Sequence, residues 1–198
     1  MKKFILSALA ACLLGGTGFA QFSVQKVVFE EGTGSWCQYC ADGSAIADVM
    51  EANFEDALMI GVHNNDAMSI PDGDEINSFY VAGFPQGVFN RNGAAISRGS
   101  WTSTMGTLLQ GASTVTVSFD SVGYDMQTRQ LTVDVRAMFT GIETGDLRIN
   151  LAITEDEVTG TGSGYNQSNA SNNTPGHVYQ GAGNPIVGFK HRHVLRSY

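Results

Sequence analysis

Apolar residues change their spacing near residue 111, and the change divides the chain into two halves of different character. Ahead of it, short apolar runs alternate with helical periodicity. Lys26-Val27-Val28-Phe29-Glu30 reads as a buried strand, bounded by Gly32-Thr33-Gly34. Ile46, Val49, Met50 and Phe54 then recur at steps of three and four, which predicts an amphipathic helix over 41–54. Ala57–Val62 is a second apolar strand, followed by an Asn/Asp-rich loop and a short helix over 74–81 with Asp72 as its cap. Gly87–Asn90 and Ala94–Ser97 flank Arg91-Asn92-Gly93, and Asn-Gly between two strands is a strong hairpin signal. Trp101–Leu109 closes the half as a helix, giving the order β-α-β-α-β-β-α.

Beyond Gly111 the period becomes two. Val115, Val117 and Phe119 alternate with polar partners, as do Leu131, Val133, Val135, Ala137 and Phe139, and then Leu147, Ile149, Leu151 and Ile153. Three such runs joined by short polar turns predict an antiparallel sheet with one buried face. Residues 159–176 read as a long Gly/Ser/Asn/Thr surface loop, and Asn184–Leu195 returns to strand-like composition. The expected fold class is an α/β domain over 21–111 followed by an all-β antiparallel sandwich domain over 112–198, incomplete with about four visible strands.

Residues 1–20 belong to neither half. Lys2 and Lys3 precede an apolar run from Phe4 to Leu14 and small residues ending at Ala20, the layout of a secretory signal peptide. The run is too short to span a bilayer. Two other readings are a lipoprotein cleavage box at Leu9-Ala10-Ala11-Cys12, with Cys12 lipidated, and an anchoring helix. The expected location is outside the cytoplasm, in the periplasm, at the outer membrane or cell surface, or secreted. The formal charge of −8, from 11 Lys and Arg against 19 Asp and Glu, argues against nucleic acid or an anionic membrane surface as partner. Loss of residues 1–20 removes Cys12 and leaves Cys37 and Cys40, which can pair only with each other or with another molecule. A single CxxC offers two ligands and no second pair follows, so neither a metal nor a cofactor is expected.

Trp36-Cys37-Gln38-Tyr39-Cys40 places two thiols three residues apart between a strand and a helix. With the helix beginning at about Cys37, that sulfur faces unpaired N–H groups and the positive end of the macrodipole, which lowers its pKa below the ordinary ~8.5. Cys37 is then the attacking thiolate, Cys40 the resolving thiol, and Trp36 shields one side. Glu31, at the end of the first strand, could be desolvated below the pair and relay a proton to or from Cys40; the alternative is a solvated strand-end acid. Glu30 should point to the opposite face. Val81-Ala82-Gly83-Phe84-Pro85 carries a proline entering a strand, and such prolines are often cis.

Together with the CxxC upstream, a βαβ between them and a hairpin after, this proline resembles the thioredoxin fold. The resemblance implies that Phe84 and Pro85 form the floor of a peptide-binding groove beside Cys37. A closer resemblance runs from about residue 24 to the end. Val28–Cys40, Gly83–Arg91, Tyr165-Asn166-Gln167, Gly183–Gly188 and His193–Arg196 are similar to the Omp28-related outer-membrane proteins of Bacteroidetes. It implies an exported envelope or surface protein, a thioredoxin-like domain followed by a β-sandwich, and a chain that family members continue past Tyr198. Gly32 stands where an aromatic residue is usual, which loosens packing under the active-site loop.

Two functions follow. One is thiol–disulfide exchange through a Cys37–Cys40 disulfide, with protein thiols and disulfides or an envelope redox partner on the other side. The other is a surface binding or adhesion protein in which Cys37–Cys40 is a structural staple. His191 and His193 share a strand face without an assignable third ligand, and Asp66, Asp72, Asp74 and Glu75 lack the spacing of an EF-hand loop.

Overall fold

A computed structural model describes residues 23–198. The signal peptide expected at 1–20 and the alternative at Cys12 lie outside the described residues. Among those described, no helix is long and apolar enough to cross a membrane. The fold is mixed α/β, with three sheets and few helices.

The main sheet has six strands. At its centre β2 (Val27–Thr33) pairs in parallel with β3 (Ala57–His63), in register from Val27↔Ala57 to Thr33↔His63. On its other edge β2 pairs antiparallel with β4 (Gln86–Phe89), which carries the short β5 (Ile96–Ser97). Beyond β3 lie β10 (Val194–Ser197), parallel to it, and β9 (Ile153–Glu155), antiparallel to β10. The strand order is β5-β4-β2-β3-β10-β9. Strand β1 (Ser23–Val24) pairs separately with β6 (Ala112–Ser113).

Alternation along β2 and β3 sorts their side chains to two faces. Val27, Phe29 and Met59 join Met50 of α1 (Cys40–Asn53) and Trp101 and Met105 of α3 (Trp101–Leu108) in one core. There Phe29 meets the Trp101 ring edge-on at 4.8 Å between centroids. Ile60 and Val62 face the other way, against Ile76 of α2 (Pro71–Tyr80) and Leu195 of β10. Glu30 lies on this second face as expected, buried, with both carboxylate oxygens taken by Arg91 at 2.7 and 2.8 Å. Ile70 is the N-cap of α2; Asp72, expected there, is in the first turn instead. No void follows from Gly32, since a side chain there would meet Val81 at 2.8 Å and Asn77 at 2.9 Å.

The second half departs from a sandwich in what it pairs with. Strands β7 (Val115–Asp125) and β8 (Gln130–Phe139) form the hairpin the period-two pattern predicts, with a bulge between Phe119 and Ser121. The third run, Leu147–Leu151, forms no strand, and Ile153–Glu155 turns instead into the main sheet. The hairpin is a two-stranded sheet on which Phe119, Val122 and Tyr124 remain exposed. The 159–176 segment is only partly a surface loop: Gln167 and Asn169 are buried, and Gln167 bridges to Ile186. Of Asn184–Leu195, only Val194 and Leu195 lie in a strand.

Candidate functional site

Strand β2 ends at Thr33, and the chain makes a tight loop before α1. Cys37 N donates to Gly34 O at 3.0 Å, and Cys40 N to Cys37 O at 3.1 Å. The helix begins at Cys40 rather than at Cys37, with Tyr39 as an N-cap lacking a side-chain hydrogen bond. Cys37 therefore lies just ahead of the helix, still facing the positive end of its dipole. The two cysteines are joined as a disulfide, with Cα atoms 5.4 Å apart. Cys40 is fully buried and Cys37 is 4% exposed. In the first turn, burial acts to raise the Asp42 pKa, but hydrogen bonds and charge from His177 and Arg98 prevail and hold it below the usual carboxylate range.

An open groove of about 410 Å³ is lined by Cys37, while Cys40 lies beneath it out of contact. Trp36 and Tyr39 form its exposed lips, and Trp36 meets Phe84 edge-on at 5.4 Å between centroids. The Trp36 indole is fixed by donating to Asn64 O at 2.7 Å. The Phe84–Pro85 peptide is cis, and Pro85 is buried behind Phe84. Gln86 Oε1 accepts from Ala82 and Gly83 N–H at 3.0 and 3.2 Å, which holds the turn leading into it. Cys37, Trp36 and Phe84 thus line one groove, whereas Pro85, expected in its floor, is buried and does not line it.

Two more lining residues come from the tail, one in the 159–176 segment and one at the start of the stretch expected to be strand-like. Ser168 and Asn184 line the groove opposite Phe84, and Asn184–Pro185 is a second cis peptide. Backbone carbonyls of the cysteine loop accept from this tail: Ser35 O from Ser168 N at 2.7 Å and Gln38 O from Ala170 N at 2.7 Å. The buried Gln167 carboxamide donates to Cys37 O at 2.8 Å and Gly34 O at 3.3 Å. No periodicity marks these residues, because each acts through one polar group rather than through an apolar stripe.

Glu31 lies on the same face of β2 as Phe29, under the first turns of α1 and beside Pro85. A Cβ on Gly43 would overlap Glu31 Oε1, so the carboxyl is packed directly against the helix backbone. It is wholly buried, and desolvation drives its pKa up to about 8 against the opposing effect of a Thr33 hydrogen bond; Asp48 and Asp42 push in the same direction as burial. The solvated alternative is therefore excluded. Glu31 Oε1 has no hydrogen-bond partner.

A second polar network braces the loop from behind. Asp66 Oδ2 accepts from Ser35 N at 2.8 Å and faces His63 Nδ1 at 2.7 Å, while Oδ1 accepts from Met68 N at 2.9 Å. Asp66 is thus turned inward, whereas Asp72, Asp74 and Glu75 ride on α2. His63 packs against His191 at 5.1 Å between centroids, and His191 Nε2 lies 2.8 Å from Tyr165 O. His191 and His193 do not face a common ligand. His193 instead groups with Asp48 and Glu51 of α1, their ligand atoms all within 4.8 Å. That set could hold a divalent ion only in competition with Arg192, which binds Asp48 and Glu51 at 2.8 Å each.

No protein-family model matches the chain, and no curated protein does. Among solved structures it is similar to HBP35 of Porphyromonas gingivalis, with a TM-score of 0.52 at 19% identity, covering 86% of this chain and 55% of that one. The chain therefore spans about half the length of that structure. At this identity the likeness is one of fold, a mixed α/β architecture shared over most of the chain.

Proposed function

We propose that the protein is an exported thiol–disulfide oxidoreductase with a thioredoxin-like domain, acting on protein thiols and disulfides outside the cytoplasm. The observation that carries the reading is the Cys37–Cys40 pair at the head of α1 with a wholly buried carboxyl, Glu31, under the same turns. The βαβ unit, the cis Phe84–Pro85 and the antiparallel β4 support the thioredoxin-like assignment. The sequence likeness to Omp28-related proteins supports an envelope or surface location.

Thiolate at Cys37 attacks one sulfur of a substrate disulfide; a Cys37–substrate bond forms, and the other substrate sulfur leaves as thiolate and takes a proton from water. Cys40 gives its proton to Glu31, and its sulfur attacks Cys37. The Cys37–Cys40 bond closes, the second substrate thiolate departs, and two electrons have passed from the cysteine pair to the substrate. Oxidation of a substrate dithiol is the reverse. Trp36 and Phe84 hold the substrate segment against the attacking sulfur, with Pro85 buried behind Phe84.

The test is the pH dependence of Cys37 alkylation in reduced protein. A fast thiol with a pKa well below ~8.5 is expected. A slow thiol titrating at or above ~8.5 overturns the reading in favour of a structural disulfide in a surface binding protein. The near-complete burial of Cys37 and the exposed apolar face of the β7–β8 hairpin favour that second reading.

A further inference from the structure

Behind Glu31 lies a partly open cavity of about 30 Å³, room for one or two water molecules. Its walls include Glu31, Asp48, Tyr179, Lys190, Arg192 and His193. Two of these residues carry a buried polar atom without a hydrogen-bond partner, Glu31 Oε1 and His193 Nε2. Buried polar atoms are rarely left unpaired, and a polar cavity of this size is where ordered water satisfies them. Asp48 stands between the two. It is close enough to Glu31 to raise its pKa, and its carboxylate lies within 4.8 Å of a His193 ring nitrogen.

Both ring nitrogens of His193 lie near carboxylates, beyond hydrogen-bonding geometry. Its Nε2 lies 3.5 Å from Glu51 Oε2 and its Nδ1 3.5 Å from Asp156 Oδ1, both carboxylates being partly solvent-exposed. Facing His193 are thus Asp48 and Glu51 of α1, Asp156 of the segment after β9, and the adjoining Arg192 bound to both helix carboxylates. Facing Glu31 are the Thr33 hydroxyl, Asp42, Asp48 and Tyr179.

We propose that His193 carries a proton from Glu31, by way of the cavity water beside Asp48, to the more exposed carboxylates of Glu51 and Asp156. The proposal rests on the exchange reading of Cys37–Cys40 and says how its proton leaves. Glu31 is 5% exposed and covered by the α1 backbone at Gly43 and by Pro85, so the cavity is the way out for a proton received from Cys40. Along the path the Cys40 S–H bond breaks as Glu31 gains the proton. Glu31 then passes it to water while that water releases another proton to one ring nitrogen of His193, and His193 releases a proton from its other nitrogen toward bulk. The electron pairs stay with the sulfurs.

The experiment follows reduced protein reacting with an excess of an aromatic disulfide whose released thiolate is coloured. A first release reports attack by Cys37, and a second reports ring closure by Cys40. His193→Asn is the variant of choice, since His193 has φ 55° and asparagine tolerates that left-handed backbone. The first release should keep its rate. The second should slow about tenfold or more at pH 7 and recover with added imidazole. A second release at the wild-type rate overturns the proton path, and so does a slowed release that imidazole fails to restore, which marks a purely structural role. If wild-type protein gives no second release at all, the exchange reading itself fails. Should His193→Asn not fold, Asp48→Asn in the same assay carries the same expectation, and an unchanged second release there overturns the path.

Discussion

Glu31 is the residue at which structure and chemistry pull hardest against each other. Its carboxyl titrates near 4.5 in an unfolded chain and at about 8 when folded, because burial disfavours the charge. The folded state therefore binds a proton that the unfolded state has lost, and stability falls as pH rises from about 4.5 to about 8, then levels off. Glu31→Gln removes that loss. The variant should exceed wild type by up to roughly 4 kcal/mol at pH 8 and by much less at pH 5, measured by denaturant unfolding at both values. In the two-release assay it should slow ring closure about a hundredfold, since the acceptor for the Cys40 proton is gone. His191 works in the opposite sense over an overlapping range. Burial lowers its pKa to about 4 from an ordinary 6.5, with its proton on Nε2 directed to Tyr165 O. Unfolding then takes up a proton below pH 6.5, and stability drops as pH falls from about 6.5 to about 4, by roughly 3 kcal/mol. His191→Gln should flatten that slope. A slope unchanged in the variant would assign the acid sensitivity elsewhere.

Helix α1 joins the cysteine pair to the buried acid, and Gly43 is where it does so. Glycine within a helix ordinarily costs about 1 kcal/mol relative to alanine, so Gly43→Ala should stabilise a helix that faced nothing. Here the added Cβ would overlap Glu31 Oε1 and approach Pro85 at 3.2 Å. The substitution should destabilise by about 1–3 kcal/mol in thermal unfolding. In a Glu31→Ala background the same change should become stabilising, a reversal that identifies the carboxyl as the obstacle. Elements of this kind were legible in the sequence wherever their contacts repeat along the chain. The spacing of Ile46, Met50 and Phe54 located α1, and the alternation of Val115 to Phe119 located β7. The start of α1 at Cys40 was not legible, because it is set by the Cys37 and Gly34 carbonyls closing a tight loop. Nor was the failure of Leu147–Leu151 to pair, since alternation records a wish for a buried face and not the presence of a neighbour.

The whole molecule is organised around pairings between distant parts of the chain. Cys37, Phe84 and Pro85 could be brought together from motifs, because a βαβ unit and a following strand carry them to one end of a sheet. The other half of the groove depends on Gln167 and Ser168, whose partners Cys37 and Ser35 lie more than a hundred residues away and leave no local pattern, and on Asn184, which is tied to Asn169 N. The same distance hides β10, whose pairing with β3 carries the sheet across the expected boundary at residue 111. Val194 and Leu195 bury completely or nearly so and complete two cores. The hairpin behaves differently. Val115 and Phe139 are paired, and Thr140 N donates to Thr114 O at 2.8 Å, so its two ends already meet. Deleting 115–139 and joining Thr114 to Thr140 should therefore preserve cooperative unfolding and Cys37 reactivity. A chain ended at residue 111 should lose both, because β3 becomes an open edge and the cysteine loop loses the Gln167, Ser168 and Ala170 donors. Far-UV circular dichroism melts and alkylation rates on the two deletions decide the matter. If the 21–111 piece melts cooperatively and keeps a fast Cys37, the tail is an accessory to an independent domain; if only the hairpin deletion does, the tail is part of the fold that makes the site.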